Sequence, residues 1–289
     1  ITDTFTVWTT LPNGVIDTTT NNDTVSAYIK PSLSGIYTIG GTSPDYATFN
    51  AAISDLYSIG VCGPITFNVR SGTYTEQLDL NPINGVSSIN TITFKADPSN
   101  TSPAIITHAA VGSADNYVVQ FSNSQHIIFD SLTINATGTT YAYAINFISA
   151  NYVTIKNCNI NASLTSTSSS SIPVRNASGI GVDNCTIENN IVNNGYYSIY
   201  WYGGGSTSKE VGNVIRGNRL RNYNLYGLMF TYQAGGVVEN NDIEQSTSAT
   251  STSYGLYIYY DDSVKVRANK VVLHGSGTNY GMYMYQANG

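Results

Sequence analysis

The chain has 289 residues, of which only 10% are charged, and a net charge of −6. That balance excludes a basic nucleic-acid face, and no apolar run of about 18 residues is present to span a membrane. Three cysteines are too few for a disulfide framework and three scattered histidines share no ligand spacing, so neither a metal nor a cofactor is expected.

Residues 1–34 alternate as short strands, Phe5–Trp8 and Val25–Ile29, around a polar loop from Pro12 to Asp23, with a linker from Pro31. They suit the last strands of a β-sandwich-like module, or a strand pair covering the end of the next module. Ile1 opens directly into strand-like sequence without a signal peptide, and Gly289 falls inside a repeat. A piece of a longer protein is therefore expected.

Ser43 as N-cap with Pro44 at the first position predicts a helix over 44–58. Phe49, Ala52, Ile53 and Leu56 give it one apolar face, and Gly60 ends it. Strand-like segments Ile65–Val69, Leu78–Leu80 and Ile92–Phe94 come next. The stretch Asp45–Phe49, with Phe67 to Glu76 and its Gly72-Thr-Tyr74-Thr-Glu76 turn, resembles the opening of pectin methylesterases and related pectin-lyase-like proteins. The resemblance implies a parallel β-helix start with a capping helix. No catalytic residue is transferred, because no Arg-Pro pair occurs and Trp8 and Trp201 are the only tryptophans. Tyr37–Gly41 through Gly60–Pro64 resembles β-helix modules of very large secreted surface proteins of Bacteroidota, which implies surface attachment.

From Val119 onward an apolar pair returns about every 27 residues: Val119/Phe121, Ile145/Phe147, Ile172/Val174, Ile199/Trp201, Leu228/Phe230, Leu256/Ile258 and Met282/Met284. A second segment recurs between them, as Phe129–Leu132–Ile134, Ile155–Cys158–Ile160, Val182–Cys185–Ile187, Ile215–Asn218–Leu220, Val238–Asn241–Ile243 and Val266–Asn269–Val271. Period-two alternation without helical periodicity predicts an all-β chain, a right-handed parallel β-helix spanning 35–289 in about eight or nine coils.

One column of this repeat reads Asp130, Lys156, Asp183, Arg216, Glu239, Arg267, alternating in sign. Stacked at strand spacing, it is a register-fixing ladder first and a source of catalytic carboxylates second. Asn218, Asn241 and Asn269 share another column with Cys185 and Cys158, which leaves a Cys158–Cys185 disulfide open, although buried thiols are the simpler expectation. This column resembles the asparagine ladder of right-handed parallel β-helix proteins.

The residues between and after each apolar pair carry a strip of tyrosines: Tyr200, Tyr202, Tyr232, Tyr257, Tyr259, Tyr260, Tyr283 and Tyr285. Ser198, Gly227, Gly255 and Gly281 suggest a shallow small-residue track beside it. Tyrosine suits contact surfaces because it offers apolar area, a hydroxyl and little entropy to lose. Three uses compete: packing between strands, recognition of a glycan or surface protein, and self-association into a fibre. The expected protein is a non-catalytic, secreted or cell-surface adhesion or assembly module. The alternative is a polysaccharide lyase, hydrolase or esterase built on Asp130, Asp183, Glu239 or Asp242. A turn pair, Asp261-Asp262, is a weak cation candidate.

Overall fold

The computed structural model describes residues 3–11, 14–16, 18–19, 21, 23–163, 168–176 and 181–287. Parts of the expected Pro12–Asp23 loop, and both chain ends, lie outside these residues. The backbone winds as a parallel β-solenoid of about nine coils. Three long sheets run along its axis: the first from Leu33–Ile39 to Lys265–Arg267, the second from Gly72–Thr75 to Lys270–Val272, and the third from Leu78–Leu80 to Asn279–Tyr285. Asp3–Trp8 and Thr24–Ile29 pair separately as an antiparallel hairpin whose Phe5, Trp8 and Tyr28 side chains are exposed.

The single helix among the described residues, α1 (Phe49–Ile59), buries Phe49, Ala52, Ile53 and Leu56 against the first coils. It starts five residues later than the sequence suggests. Tyr46 bridges to Ile39, so the chain before it is held in a strand-like path, and Thr48 becomes the N-cap by accepting from the Ala51 amide at 3.1 Å. Glu76 completes the cap: its carboxylate accepts from the Phe49 and Asn50 amides at 3.1 and 2.9 Å. The Tyr74 hydroxyl donates to the Ile39 and Arg70 carbonyls, and its ring meets Phe49 edge-on at 5.2 Å. The Gly-x-Tyr-x-Glu turn therefore fastens the helix to the solenoid.

Between the first and second sheets, each coil from Phe129 onward turns through one left-handed residue: Ser131, Asn157, Asn189, Gly217, Asn240 or Ala268. The next residue forms the asparagine ladder. Asn190, Asn218 and Asn241 are buried, and each Nδ2 donates to the next asparagine's Oδ1 at 2.9–3.0 Å and to a backbone carbonyl. Buried turn amides that water cannot reach are satisfied in this way.

One coil departs from the expected register. The first sheet pairs Ile155 with Ile187, not Val182, and Ile187 with Ile215. The ladder member is therefore Asn190 rather than Cys185, and the charge-column member is Glu188 rather than Asp183. Val182–Asp183 instead pairs with Ala150–Asn151 on the third sheet. Cys158 and Cys185 fall in different columns, and both are free, buried thiols. In the third sheet Val174, not Ile172, lies between Ile145 and Ile199, which places Asn176 beside Phe147 in the interior.

With Glu188 in place, the charge column runs Lys95, Asp130, Lys156, Glu188, Arg216, Glu239, Arg267, alternating throughout. The ion pairs close in twos: Asp130–Lys156 at 3.6 Å, Glu188–Arg216 at 2.6 Å and Glu239–Arg267 at 2.5 Å.

Candidate functional site

Register along the third sheet defines three outward columns over its last four coils. The first holds Tyr197, Tyr226, Tyr254 and Tyr280. The second holds Tyr200, Met229, Tyr257 and Tyr283, and the third Tyr202, Thr231, Tyr259 and Tyr285. Tyr232 and Tyr260 sit at the following turn in left-handed conformations and stack at 5.5 Å. All eight expected tyrosines are thus brought together, and Tyr197, Tyr226, Tyr254 and Tyr280 extend the array.

The rings stack mainly on one another. Tyr257 and Tyr283 lie 5.0 Å apart with an 8° interplanar angle, Tyr254 and Tyr280 4.9 Å apart at 9°, and Tyr259 and Tyr285 5.3 Å apart at 20°. Within such columns, faces are covered by neighbouring rings. Each cross-strand aromatic pair contributes about 0.2–1 kcal/mol to the stack. Burial and neighbouring phenols push the Tyr257 hydroxyl up to about 12.

The small-residue track reaches the surface only at Gly281. Ser198, Gly227 and Gly255 are buried. A β-carbon on Gly255 would clash with Val271 Cγ1, and one on Gly227 with Ile243 Cγ2. These residues are small because the second sheet packs directly beneath them.

Followed toward the amino end, the second column changes character: Arg175, Asn146, Gln120 and Asp79 occupy it. Asn146 Nδ2 donates to Gln120 Oε1 at 2.7 Å, and Gln120 Nε2 and the Ser122 hydroxyl donate to Asp79 Oδ1 at 3.3 and 2.8 Å. The Arg175 guanidinium lies over the Tyr143 ring at 4.4 Å, beside a cavity of about 200 Å³ that Tyr197 and Tyr200 also line. Among the described residues, no carboxylate lies within ion-pair distance of Arg175. Its Nε and Asn146 Oδ1 are buried without partners. Sequence reasoning missed this strip, although its signal is present: each residue sits between two inward side chains, as Gln120 does between Val119 and Phe121.

The catalytic candidates are not gathered. Asp130 and Glu239 lie on the first sheet and Asp242 on the second, where Arg221 at 2.5 Å and Lys270 at 3.7 Å hold the Asp242 carboxyl below its usual range. Asp183 accepts from the Val211 amide at 2.7 Å. Asp261-Asp262 does not act as a pair: Asp261 is fully buried and accepts from the Gln233 amide, while Asp262 meets Lys209 at 2.5 Å.

A buried polar column lies beneath the face. Glu210 accepts from Asn176 Nδ2, the Val182 amide and Gln233 Nε2 at 3.0–3.2 Å. Burial still pushes its carboxyl up to about 8, and that of Asp261 up to about 7. Among the described residues, no three His, Cys, Asp or Glu side chains form a metal-binding group, and no helix is long and apolar enough to cross a membrane.

Among solved structures, the chain is similar to a pectin methylesterase from Aspergillus niger in deglycosylated form, with 15% identity, 88% of this chain and 87% of that chain covered, and a TM-score of 0.45. It is similar to a rhamnogalacturonan lyase with 14% identity, 86% and 63% covered, and a TM-score of 0.40. A pectin methylesterase from Erwinia chrysanthemi gives 10%, 90% and 90%, and 0.43. No curated protein matches the sequence. The model of the right-handed β-helix region matches residues 97–289, more than half of the chain, and the chain belongs to that family.

Proposed function

We propose that the protein is a non-catalytic, secreted or cell-surface β-solenoid module that contacts a glycan through the outer face of its third sheet. One observation carries this reading: a continuous tyrosine array shares its register with a strip of amides and an unpaired arginine. The array supplies a rigid surface of phenol edges and hydroxyls held in place by stacking, so binding costs little side-chain entropy. Gln120 adds a planar amide for sugar hydroxyls, and Arg175 can meet a carboxylate or sulfate on the same chain. A long, open face suits a polymer better than a compact metabolite.

Glycoside hydrolysis needs two carboxyl groups facing one bond. Among the described residues, Asp79 is the one carboxylate on this strip. Asp130, Asp183, Glu239 and Asp242 lie elsewhere, each engaged by a cation or a backbone amide. Co-sedimentation with neutral and acidic polysaccharides, alongside reducing-end release, tests the reading. Binding without turnover is expected. Turnover abolished by Asp79→Asn would replace it with an enzyme.

A further inference from the structure

We propose that the stacked tyrosine pairs of the last two coils, Tyr254–Tyr280 and Tyr257–Tyr283, form an oxidative cross-linking site. A one-electron oxidant of the peroxidase class joins them there into dityrosine. Glycan binding plays no part in this chemistry.

Strands Ser253–Tyr259 and Asn279–Tyr285 are parallel partners, with Tyr254 opposite Tyr280 and Tyr257 opposite Tyr283. Backbone hydrogen bonds fix the spacing of the two strands and so of the Cα atoms that carry the rings. Their separations of 4.9 and 5.0 Å and tilts of 9° and 8° bring two phenols face to face. Phenoxyl radicals couple through the ortho carbons, which share the unpaired electron, and a face-to-face approach is the arrangement that can bring those carbons together. Tyr254 and Tyr257, at 85°, meet edge to face and lack that arrangement. All four rings lie on the outer face of the third sheet and none is buried, which gives an oxidant access. Further ring contacts, such as Tyr226–Tyr254 at 5.1 Å, let an oxidised ring exchange electrons with its neighbours until coupling traps the pair.

The chemistry balances. Each phenol loses its O–H hydrogen, the proton to water and the electron to the oxidant. The two radicals pair their electrons in one ortho carbon–carbon bond. The two ortho hydrogens then leave as protons, and both oxygens are reprotonated, so the pair loses two hydrogen atoms in all. One hydrogen peroxide, acting through the haem of a peroxidase, takes up those two electrons and two protons and becomes two waters. The product is a covalent staple between two neighbouring coils. Closing a loop in this way restrains the unfolded chain, as a disulfide does.

The test treats the full chain with a haem peroxidase and hydrogen peroxide, beside the variant Tyr280→Phe, Tyr283→Phe, which keeps both rings. Trypsin cuts after Lys265, Arg267 and Lys270, so a coupled pair leaves two peptides joined. A monomer lighter by two hydrogens, dityrosine fluorescence and a joined peptide sequenced to Tyr254–Tyr280 or Tyr257–Tyr283 are expected. In the variant the peptides joined through these two pairs disappear, while signal from the stacked Tyr259–Tyr285 pair remains. A monomer that gains only oxygen on methionine, dityrosine found only between molecules, or an unchanged joined peptide in the variant would overturn the proposal.

Discussion

In its first four coils the second column of the third sheet carries Asp79, Gln120, Asn146 and Arg175, whereas in the next four it carries Tyr200, Met229, Tyr257 and Tyr283. The backbone beneath is the same, with buried pairs such as Ile145/Phe147 and Leu256/Ile258. A solenoid separates the two tasks: inward positions hold the fold together, and outward positions are free to vary along the axis. The polar half is linked by side-chain hydrogen bonds such as Asn146–Gln120, while the tyrosine half is held by ring stacking.

Breaking the shared base affects both halves most. Phe147 stacks on Phe121 at 4.9 Å and meets Trp201 at 5.1 Å, where the halves join. Phe147→Ala is expected to cost about 3–5 kcal/mol in urea unfolding. The buried acids under the same junction should make stability fall with pH. Their carboxyls hold protons in the fold up to about 8 for Glu210 and about 7 for Asp261, but only to ordinary carboxylate values when unfolded. The stabilisation is therefore complete below the unfolded values and is lost as pH rises through the folded ones. Urea midpoints at pH 5 and pH 8.5 measure it. Glu210→Gln, a permanently neutral replacement for the protonated carboxyl, should flatten the profile.

Arg175→Met separates the halves chemically. It is expected to weaken an acidic polysaccharide roughly tenfold, or about 1.4 kcal/mol, and to leave a neutral one unchanged, as read by titration calorimetry. Equal loss for both would assign Arg175 to packing on Tyr143. The smallest effect belongs to the charged column: Glu188→Gln should change stability by about 0–1 kcal/mol in the same unfolding assay.

Much of this architecture is legible in the sequence. The 27-residue return, the sign alternation and the tyrosine columns all come from period-two strands stacked on one axis. The exceptions are local. Val182–Cys185–Ile187 and Ile187–Asn190–Val192 satisfy the same apolar and small-residue pattern and overlap by one residue. The second is used because Asn190 can bond coils on both sides, accepting from the Cys158 amide and donating to Asn218. The slip from Ile172 to Val174 is two residues, and a two-residue slip keeps every side chain on its face, so alternation cannot reveal it. Ring orientation is a tertiary property, and the same holds for the burial of Gly227 and Gly255, which depends on Ile243 and Val271 in another sheet.

The most direct test of the contact face is hydroxyl-radical footprinting of the protein with and without a bound polysaccharide. Tyr257, Tyr259, Tyr283 and Tyr285 should lose reactivity together, and Tyr257→Ser with Tyr283→Ser should abolish that binding at a nearly unchanged melting temperature. Undiminished reactivity of these rings, with protection instead along Asp130 to Arg267, would contradict the account.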